Sequence, residues 1–149
     1  MAVFDKLKLD LFHNETMRRV LAWALGDGVE AAKKLEAGVP AGYLEELVRE
    51  LELSGEDLQT VFGLPRATWF RRRRMGVLRL REAEIAYRVA RLWGLARSVF
   101  DGDEAAARRW MKTPHPELGG RTPLSAARLE PAAREAEALL VRALAGVGV

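Results

Sequence analysis

The sequence predicts an all-α protein, and three observations lead to that prediction. Apolar residues recur at helical spacings of three and four along most of the chain, as at Leu44, Leu47 and Leu51. Glycine and proline separate these segments, and Asn, Ser or Asp stand where helices should begin. Val and Ile are sparse, and no segment reads as a strand. A chain of 149 residues with this pattern suits one or two small helical domains.

Capping residues and apolar stripes define the predicted helices. The first helix should begin after the N-cap Asn14 and end at Gly26. The segment from Leu80 to Phe100 is apolar on more than one side, so we expect it to lie between layers or at a dimer interface. Two closing helices are predicted near Pro123 and Pro131, because proline is favoured in the first turn of a helix.

The net charge of +3 hides an uneven distribution along the chain. Residues 1–64 hold 12 acidic and 7 basic residues, whereas residues 65–149 hold 9 acidic and 17 basic ones. Between residues 65 and 81 the chain has no acidic residue. The same range holds seven arginines: Arg66, Arg71, Arg72, Arg73, Arg74, Arg79 and Arg81. Such a local cluster indicates contact with a polyanion, and a solvated helix face is the alternative.

Residues 53–71 have the pattern of a helix-turn-helix. Ser54 and Asp57 form a near capping box for a short helix, and Gly63 allows the chain to reverse. Leu64 should be buried in the turn, and Trp69 should anchor the second helix. In DNA-binding versions of this motif, the first turn of the second helix enters the major groove.

The second helix therefore supplies the predicted DNA-binding residues, which are Arg66, Ala67, Thr68, Phe70, Arg71, Arg72 and Arg74. Arg66 is the candidate for a bidentate contact to guanine, and Thr68 for a phosphate or a thymine methyl. Phe70 also fits a partly buried edge or a dimer contact. The helix has no Asn or Gln, so readout should favour G·C pairs and the backbone. Two ordinary helices with outward arginines are the alternative.

Three stretches of the back half carry a family resemblance: GLPRATWFRR at 63–72, FDGDEAAARRWM at 100–111 and TPHPELGGRTPL at 113–124. An acidic residue with Ala-Arg-Trp-Leu, followed by a Pro-x-x-x-Leu-Gly-Gly-x-x-Pro loop, is typical of the Xre/MbcA/ParS antitoxins. The chain resembles that family over about residues 40–149, and the loop is the most specific part. Residues 1–39 carry no family signature.

The resemblance implies an Xre-like helix-turn-helix followed by a small helical toxin-binding domain. We accordingly divide the chain into an N-terminal helical extension (1–39), a helix-turn-helix region (40–78) and a dimerisation and toxin-binding domain (79–149). The implied partners are a RES-fold toxin that acts on NAD, a second copy of the chain and double-stranded operator DNA. The toxin would be neutralised by covering its active-site cleft. A stand-alone regulator and a non-DNA adaptor are the alternatives.

The expected toxin contacts are Arg121, Arg142, Gly146, Val147 and Val149. Gly146, Val147 and Val149 belong to an apolar segment, which we expect a partner to shield from water. A frayed terminus is an equally good explanation of this segment. We expect Gly119, Gly120 and Pro123 to brace their loop, because glycine permits backbone angles that other residues avoid.

No residue pattern predicts an enzyme, a metal site or a cofactor. His13 and His115 are the only histidines, and cysteine is absent. No phosphate-binding glycine loop is present, and His115, between two prolines, fits a hydrogen-bonding loop residue. No stretch approaches 18 apolar residues and no signal peptide is recognisable, so we expect a cytoplasmic protein without a membrane span.

Overall fold

The described part of the chain is helical, which confirms the predicted fold class. The computed structural model describes residues 14–146. In that range the elements are α1 (Glu15–Leu25), α2 (Gly28–Ala37), α3 (Ala41–Leu51), α4 (Gly55–Phe62), α5 (Arg66–Met75), α6 (Leu80–Val99), α7 (Glu104–Met111), a 3-10 turn (Pro116–Leu118), α8 (Pro123–Ala126) and α9 (Glu130–Leu144). Between residues 14 and 146 the only β pairing is an isolated antiparallel bridge between Pro40 and Val77.

Capping groups set the ends of these helices largely where the sequence predicts them. The Asn14 side chain accepts hydrogen bonds from the backbone N–H groups of Thr16 and Met17, at 2.8 and 3.2 Å. Gly26 is the C-cap of α1, and Pro123 is the first residue of α8. The Asn14 side chain accepts from backbone N–H groups that would otherwise lack a partner at the start of the helix. Pro123 has no backbone N–H and so leaves no such donor at the start of α8.

The long helix α6 is the centre of the fold. It packs against α1, α3, α7 and α9. Ile85, Leu92 and Trp93 are almost fully buried along it. The predicted burial of this helix on more than one side is in agreement with these contacts. At Gly94 a Cβ atom would lie 2.7 Å from a Leu25 methyl, so glycine permits the close approach of α1.

The first helix belongs to the same hydrophobic core as the rest of the described chain. Val20 and Leu21 are fully buried, and α1 packs on both α3 and α6. The Trp23 ring lies 5.6 Å from the Tyr43 ring and 5.2 Å from the Tyr87 ring, centroid to centroid. This aromatic cluster joins α1, α3 and α6, so the described part of residues 1–39 helps to hold the helix-turn-helix in place.

Two kinds of feature are missing from residues 14–146. No helix in this range combines the length and the apolar character that crossing a bilayer requires. Nor does the range contain a group of three or more His, Asp or Glu side chains arranged to hold a metal ion.

Candidate functional site

The turn between α4 and α5 is built as the sequence predicts. The Ser54 hydroxyl accepts from the Asp57 backbone N–H at 3.0 Å, and the Asp57 carboxylate accepts from the Ser54 N–H at 2.9 Å. Gly63 has a φ of 67°, in the left-handed region that favours glycine. Leu64 is buried, and its N–H donates to the Leu58 carbonyl at 3.0 Å. These bonds fix the angle at which α5 leaves the turn.

One side of α5 carries most of the predicted DNA-binding residues. The exposed ones are Arg66, Ala67, Phe70, Arg71 and Arg74. They share a side because residues three and four apart are neighbours on a helix of 3.6 residues per turn. Thr68 is half-buried at the edge, where its hydroxyl accepts from Arg71 Nη2 at 3.3 Å. Trp69 is half-buried and packs against the core, as expected of an anchor.

The arginines of this side are available to an anion. Within residues 14–146, Arg66, Arg71 and Arg74 form no ion pair with a carboxylate. Arg73 differs, because its Nε lies 3.0 Å from a Glu45 carboxylate oxygen on α3. This exposed pair flanks the cationic side and leaves it open. A concentrated positive charge on one helix face is the arrangement that attracts a phosphate backbone.

Arg72 requires a correction to the predicted DNA-binding set. Its side chain is buried, and its Nε donates to both carboxylate oxygens of Glu82, at 2.8 and 3.1 Å. The same carboxylate accepts from the Arg79 backbone N–H at 2.9 Å, at the start of α6. Arg72 therefore joins α5 to α6 and does not present its charge to solvent. Its position three residues after the anchor Trp69 is a signal of this inward orientation.

Among the predicted toxin contacts, Arg121 is exposed at the mouth of a concavity of about 480 Å³. This concavity, which we call the α9 cleft, lies between the 3-10 turn and the start of α9. It is lined by Glu117, Leu118, Gly119, Arg121, Leu129, Pro131, Ala132 and Glu135. Leu129 is 46% exposed there, which leaves an aliphatic side chain at the surface. No sequence pattern predicts this cleft, because its two walls come from separate segments of the chain.

The other predicted toxin contacts lie towards the far end of α9. Arg142 is exposed near the C-terminus of that helix, and Gly146 is exposed just after it. Ten residues of helix separate Arg142 from Ala132 of the α9 cleft, which corresponds to about 15 Å. The structure therefore does not bring Arg121 and Arg142 to one point. Val147 and Val149 lie outside the described residues.

The loop between α7 and α8 is held by its own hydrogen bonds. The Gly120 N–H donates to the His115 carbonyl at 3.0 Å, and the His115 N–H donates to the Arg121 carbonyl at 3.1 Å. Gly119 and Gly120 have φ values of 66° and 83°. His115 Nε2 lies 3.2 Å from the Trp110 carbonyl, so it is a hydrogen-bonding loop residue, as predicted. This geometry agrees with the expected bracing role of the two glycines.

Three basic side chains, one from α6, one from α7 and one from the residue after α7, bind the C-terminal end of α3. Arg108 Nε donates to the Glu50 carbonyl at 2.9 Å, and Lys112 Nζ donates to the Glu52 carbonyl at 2.8 Å. Arg97 Nη1 lies 2.6 Å from the Glu104 carboxylate and 3.9 Å from that of Glu50. Carbonyls at a helix C-terminus carry partial negative charge, so these cations stabilise it.

Glu50 occupies an unfavourable position in this network. Burial raises the pKa of its carboxyl, and the neighbouring Glu104 carboxylate raises the pKa further. Arg97 and Arg108 oppose the rise. The net effect is that the end of α3 holds a carboxyl whose ionisation costs more than it would in water.

Two family models match the chain. Residues 30–91 match the antitoxin Xre-like helix-turn-helix domain, and residues 95–146 match the antitoxin Xre/MbcA/ParS C-terminal toxin-binding domain. Together these spans cover most of the chain, and they meet inside the continuous helix α6. Both describe binding or regulatory domains, in agreement with the prediction that the chain is not an enzyme. A search of curated proteins returned no match.

Proposed function

The chain belongs to the Xre/MbcA/ParS antitoxin family, and from this membership we propose a specific partner and a specific mode of regulation. It neutralises a RES-domain toxin that degrades NAD, by binding that toxin directly. It also binds the operator of its own operon and represses it. The observation that carries the DNA-binding part is the exposed side of α5, where three arginines stand without carboxylate partners in the described chain.

On DNA, the first turn of α5 enters the major groove. Arg66 lies at the start of the helix and donates to guanine O6 and N7. Arg71 contacts a base or a phosphate on the same side, with Thr68 beside it, and Arg74 neutralises a phosphate. The buried Arg72–Glu82 pair supports this arrangement, because it joins α5 to the long helix α6 and holds its direction.

On the toxin, the α9 cleft is the contact surface that we propose for Arg121. The cleft lies within the residues that match the toxin-binding family, and it combines an exposed aliphatic side chain with an arginine. Both are groups that protein interfaces bury. Arg142 and Gly146 form a second contact towards the other end of α9, and Val147 and Val149 are further proposed toxin contacts. Together these contacts cover the active-site cleft of the toxin.

The protein acts as a homodimer in the cytoplasm, since operator recognition by this motif uses two recognition helices on two half-sites. Those half-sites would lie about 34 Å apart, one turn of DNA. Analytical ultracentrifugation of the protein with and without operator DNA tests the dimer. A chain that stays monomeric in both samples would contradict it.

Co-expression with the toxin gene that neighbours this one tests the toxin-binding part. We expect the chain to restore growth and cellular NAD in cells that express the RES-domain protein, and the two proteins to co-purify. The control is the same toxin expressed without the chain. If the full chain neither restores NAD nor co-purifies, the neutralisation proposal is wrong, and a stand-alone regulator becomes the better account.

DNA from upstream of the operon tests the other part. We expect a discrete shifted band in gel electrophoresis at protein concentrations that leave unrelated DNA of equal length unbound. A specific complex typically binds about a thousandfold or more tighter than a non-specific one. Equal binding to both DNAs would mean that α5 contacts phosphates without recognising a base sequence. No binding to either would favour the adaptor, whose arginines contact an acidic protein.

A further inference from the structure

Phe70 stands at the centre of the exposed side of α5. Its ring is 58% exposed, among the largest exposed apolar side chains of the described residues. Ala67 precedes it by three residues and Arg74 follows it by four, so both are its neighbours on the helix surface. Arg66 and Arg71 complete the surroundings. The cationic side of α5 therefore has an apolar centre.

The ring has no structural task that would explain its place. It belongs neither to the buried core nor to the half-buried residues packed against it. The Arg74 guanidinium, on the same helix, lies 5.9 Å from the ring centroid. An exposed phenylalanine gains free energy when a partner covers it, because apolar surface leaves water. In the proposed complex, the surface that covers this side of α5 is the major groove of DNA.

The base edges of the major groove offer one apolar group, the C5 methyl of thymine; the other groups are hydrogen-bond donors and acceptors. We propose that Phe70 and Ala67 form a subsite for a thymine methyl, with Arg66 reading a neighbouring guanine. This inference rests on the proposed binding of α5 to DNA. With this subsite the protein recognises a T·A pair, in addition to the G·C pairs that the arginines alone would favour.

The surface has room for such a contact. Ala67 and Phe70 line an open concavity of about 710 Å³ together with Arg66 and Arg71. The small Ala67 side chain leaves the ring face accessible, and a long side chain there would cover it. An aromatic ring beside a small residue, bordered by cations, can accept a methyl group while the arginines contact oxygen and nitrogen atoms around it.

Deoxyuridine provides the test, because it differs from thymidine only in lacking the C5 methyl. Duplexes that bind the full-length protein are selected from a random double-stranded library, and the selected sequence is remade with deoxyuridine at each thymidine in turn. At one position per half-site we expect the wild-type protein to bind about fourfold more weakly, which is the effect of burying one methyl group. Phe70→Ala should bind the two duplexes equally.

Val29→Ala is the matched control, since Val29 is 67% exposed on α2 and truncation removes a comparable surface side chain away from α5. This variant should discriminate between the duplexes as the wild type does. Circular dichroism and thermal unfolding verify that both variants fold.

Two results would overturn the inference. Equal wild-type affinity for both duplexes at every position would show that no methyl is read. Discrimination by Phe70→Ala as large as that of the wild type would assign the methyl to another residue; if this variant also binds both duplexes more weakly than the wild type, the ring contacts sugar or stacked bases. A protein that binds no duplex at all would refute the DNA-binding proposal itself, which distinguishes the two failures.

Discussion

Three exposed arginines of α5 differ from the buried or half-buried arginines of α6 and α7 in what they contact, although both groups belong to the basic half of the chain. Arg66, Arg71 and Arg74 face solvent without carboxylate partners in the described residues. In α6, by contrast, Arg88 donates to the carbonyls of Ala127 and Arg128, at 2.7 and 2.9 Å. Charge content alone therefore does not identify a binding surface; the partners of each guanidinium do.

The second group holds the helices together. Arg91 Nη1 donates to the Ala24 carbonyl at 2.8 Å, and its Nε lies 2.6 Å from the Glu137 carboxylate. This one side chain connects α1, α6 and α9. Arginine suits such positions because its planar group donates in several directions at once. Three exposed arginines of α5 are therefore left for a partner, whereas the following arginines of α6 and α7 bind within the fold: Arg88, Arg91, Arg97 and Arg108.

Arg72→Ala tests this distinction with the largest expected effect. It should lower the free energy of unfolding by about 3–5 kcal/mol, because it leaves the Glu82 carboxylate buried without its partner. Arg74→Ala removes the same charge from the same helix and should change stability by about 0.5 kcal/mol or less. Urea unfolding followed by circular dichroism measures both. Equal stability of the two variants would place Arg72 in the exposed group.

Arg66→Ala should have its effect on DNA and leave stability unchanged. We expect operator affinity to fall by about 1–3 kcal/mol, with relaxed preference at one base, if Arg66 donates to guanine. Fluorescence anisotropy with operator DNA and with random DNA measures the difference. A loss of equal size on random DNA would mean that Arg66 contacts only phosphates.

Arg88→Ala should lower the stability of the fold and leave DNA binding unchanged. We expect the free energy of unfolding to fall by about 1 kcal/mol, because two carbonyls lose a charged donor but water can reach part of the site. DNA affinity should be unchanged. Arg81→Ala is the control, since Arg81 is exposed on the same helix. A decrease in operator affinity for Arg88→Ala at unchanged stability would contradict its structural assignment.

The sequence predicts the helix-turn-helix and its arginines, but it does not predict which group each arginine contacts. The cap at Ser54, the left-handed Gly63 and the anchor Trp69 depend on neighbours a few residues away, so local pattern predicts them. Arg72 stands in a run of four arginines that look alike, and its carboxylate partner comes from the next helix. The α9 cleft is formed by two separate segments. Such features depend on tertiary packing, which periodicity does not report.

Glu50 gives the smallest predicted effect, and it concerns the contact between α3 and α7. Its folded pKa lies above the ordinary value of 4.5, so the folded protein holds this proton more strongly than the unfolded chain. The resulting stabilisation is complete below about pH 4.5 and is lost as the pH rises through the raised pKa.

Glu50→Gln removes this titration and keeps the shape of the side chain. We therefore expect the variant to match the wild type at low pH and to become relatively more stable as the pH rises towards neutral. Urea unfolding across that pH range provides the measurement, with Glu56→Gln on the exposed surface as control. A difference between Glu50→Gln and wild type that is independent of pH would contradict the raised pKa.

We propose that one chain carries two separate binding surfaces, the exposed side of α5 for operator DNA and the α9 cleft for a toxin. The most direct test compares the triple variant Arg66→Ala, Arg71→Ala, Arg74→Ala with Arg121→Glu in both assays, operator binding and neutralisation of the co-expressed toxin. We expect the first variant to lose operator binding and still restore growth, and the second to bind operator and fail to restore growth. Loss of both activities in either folded variant would contradict two independent surfaces.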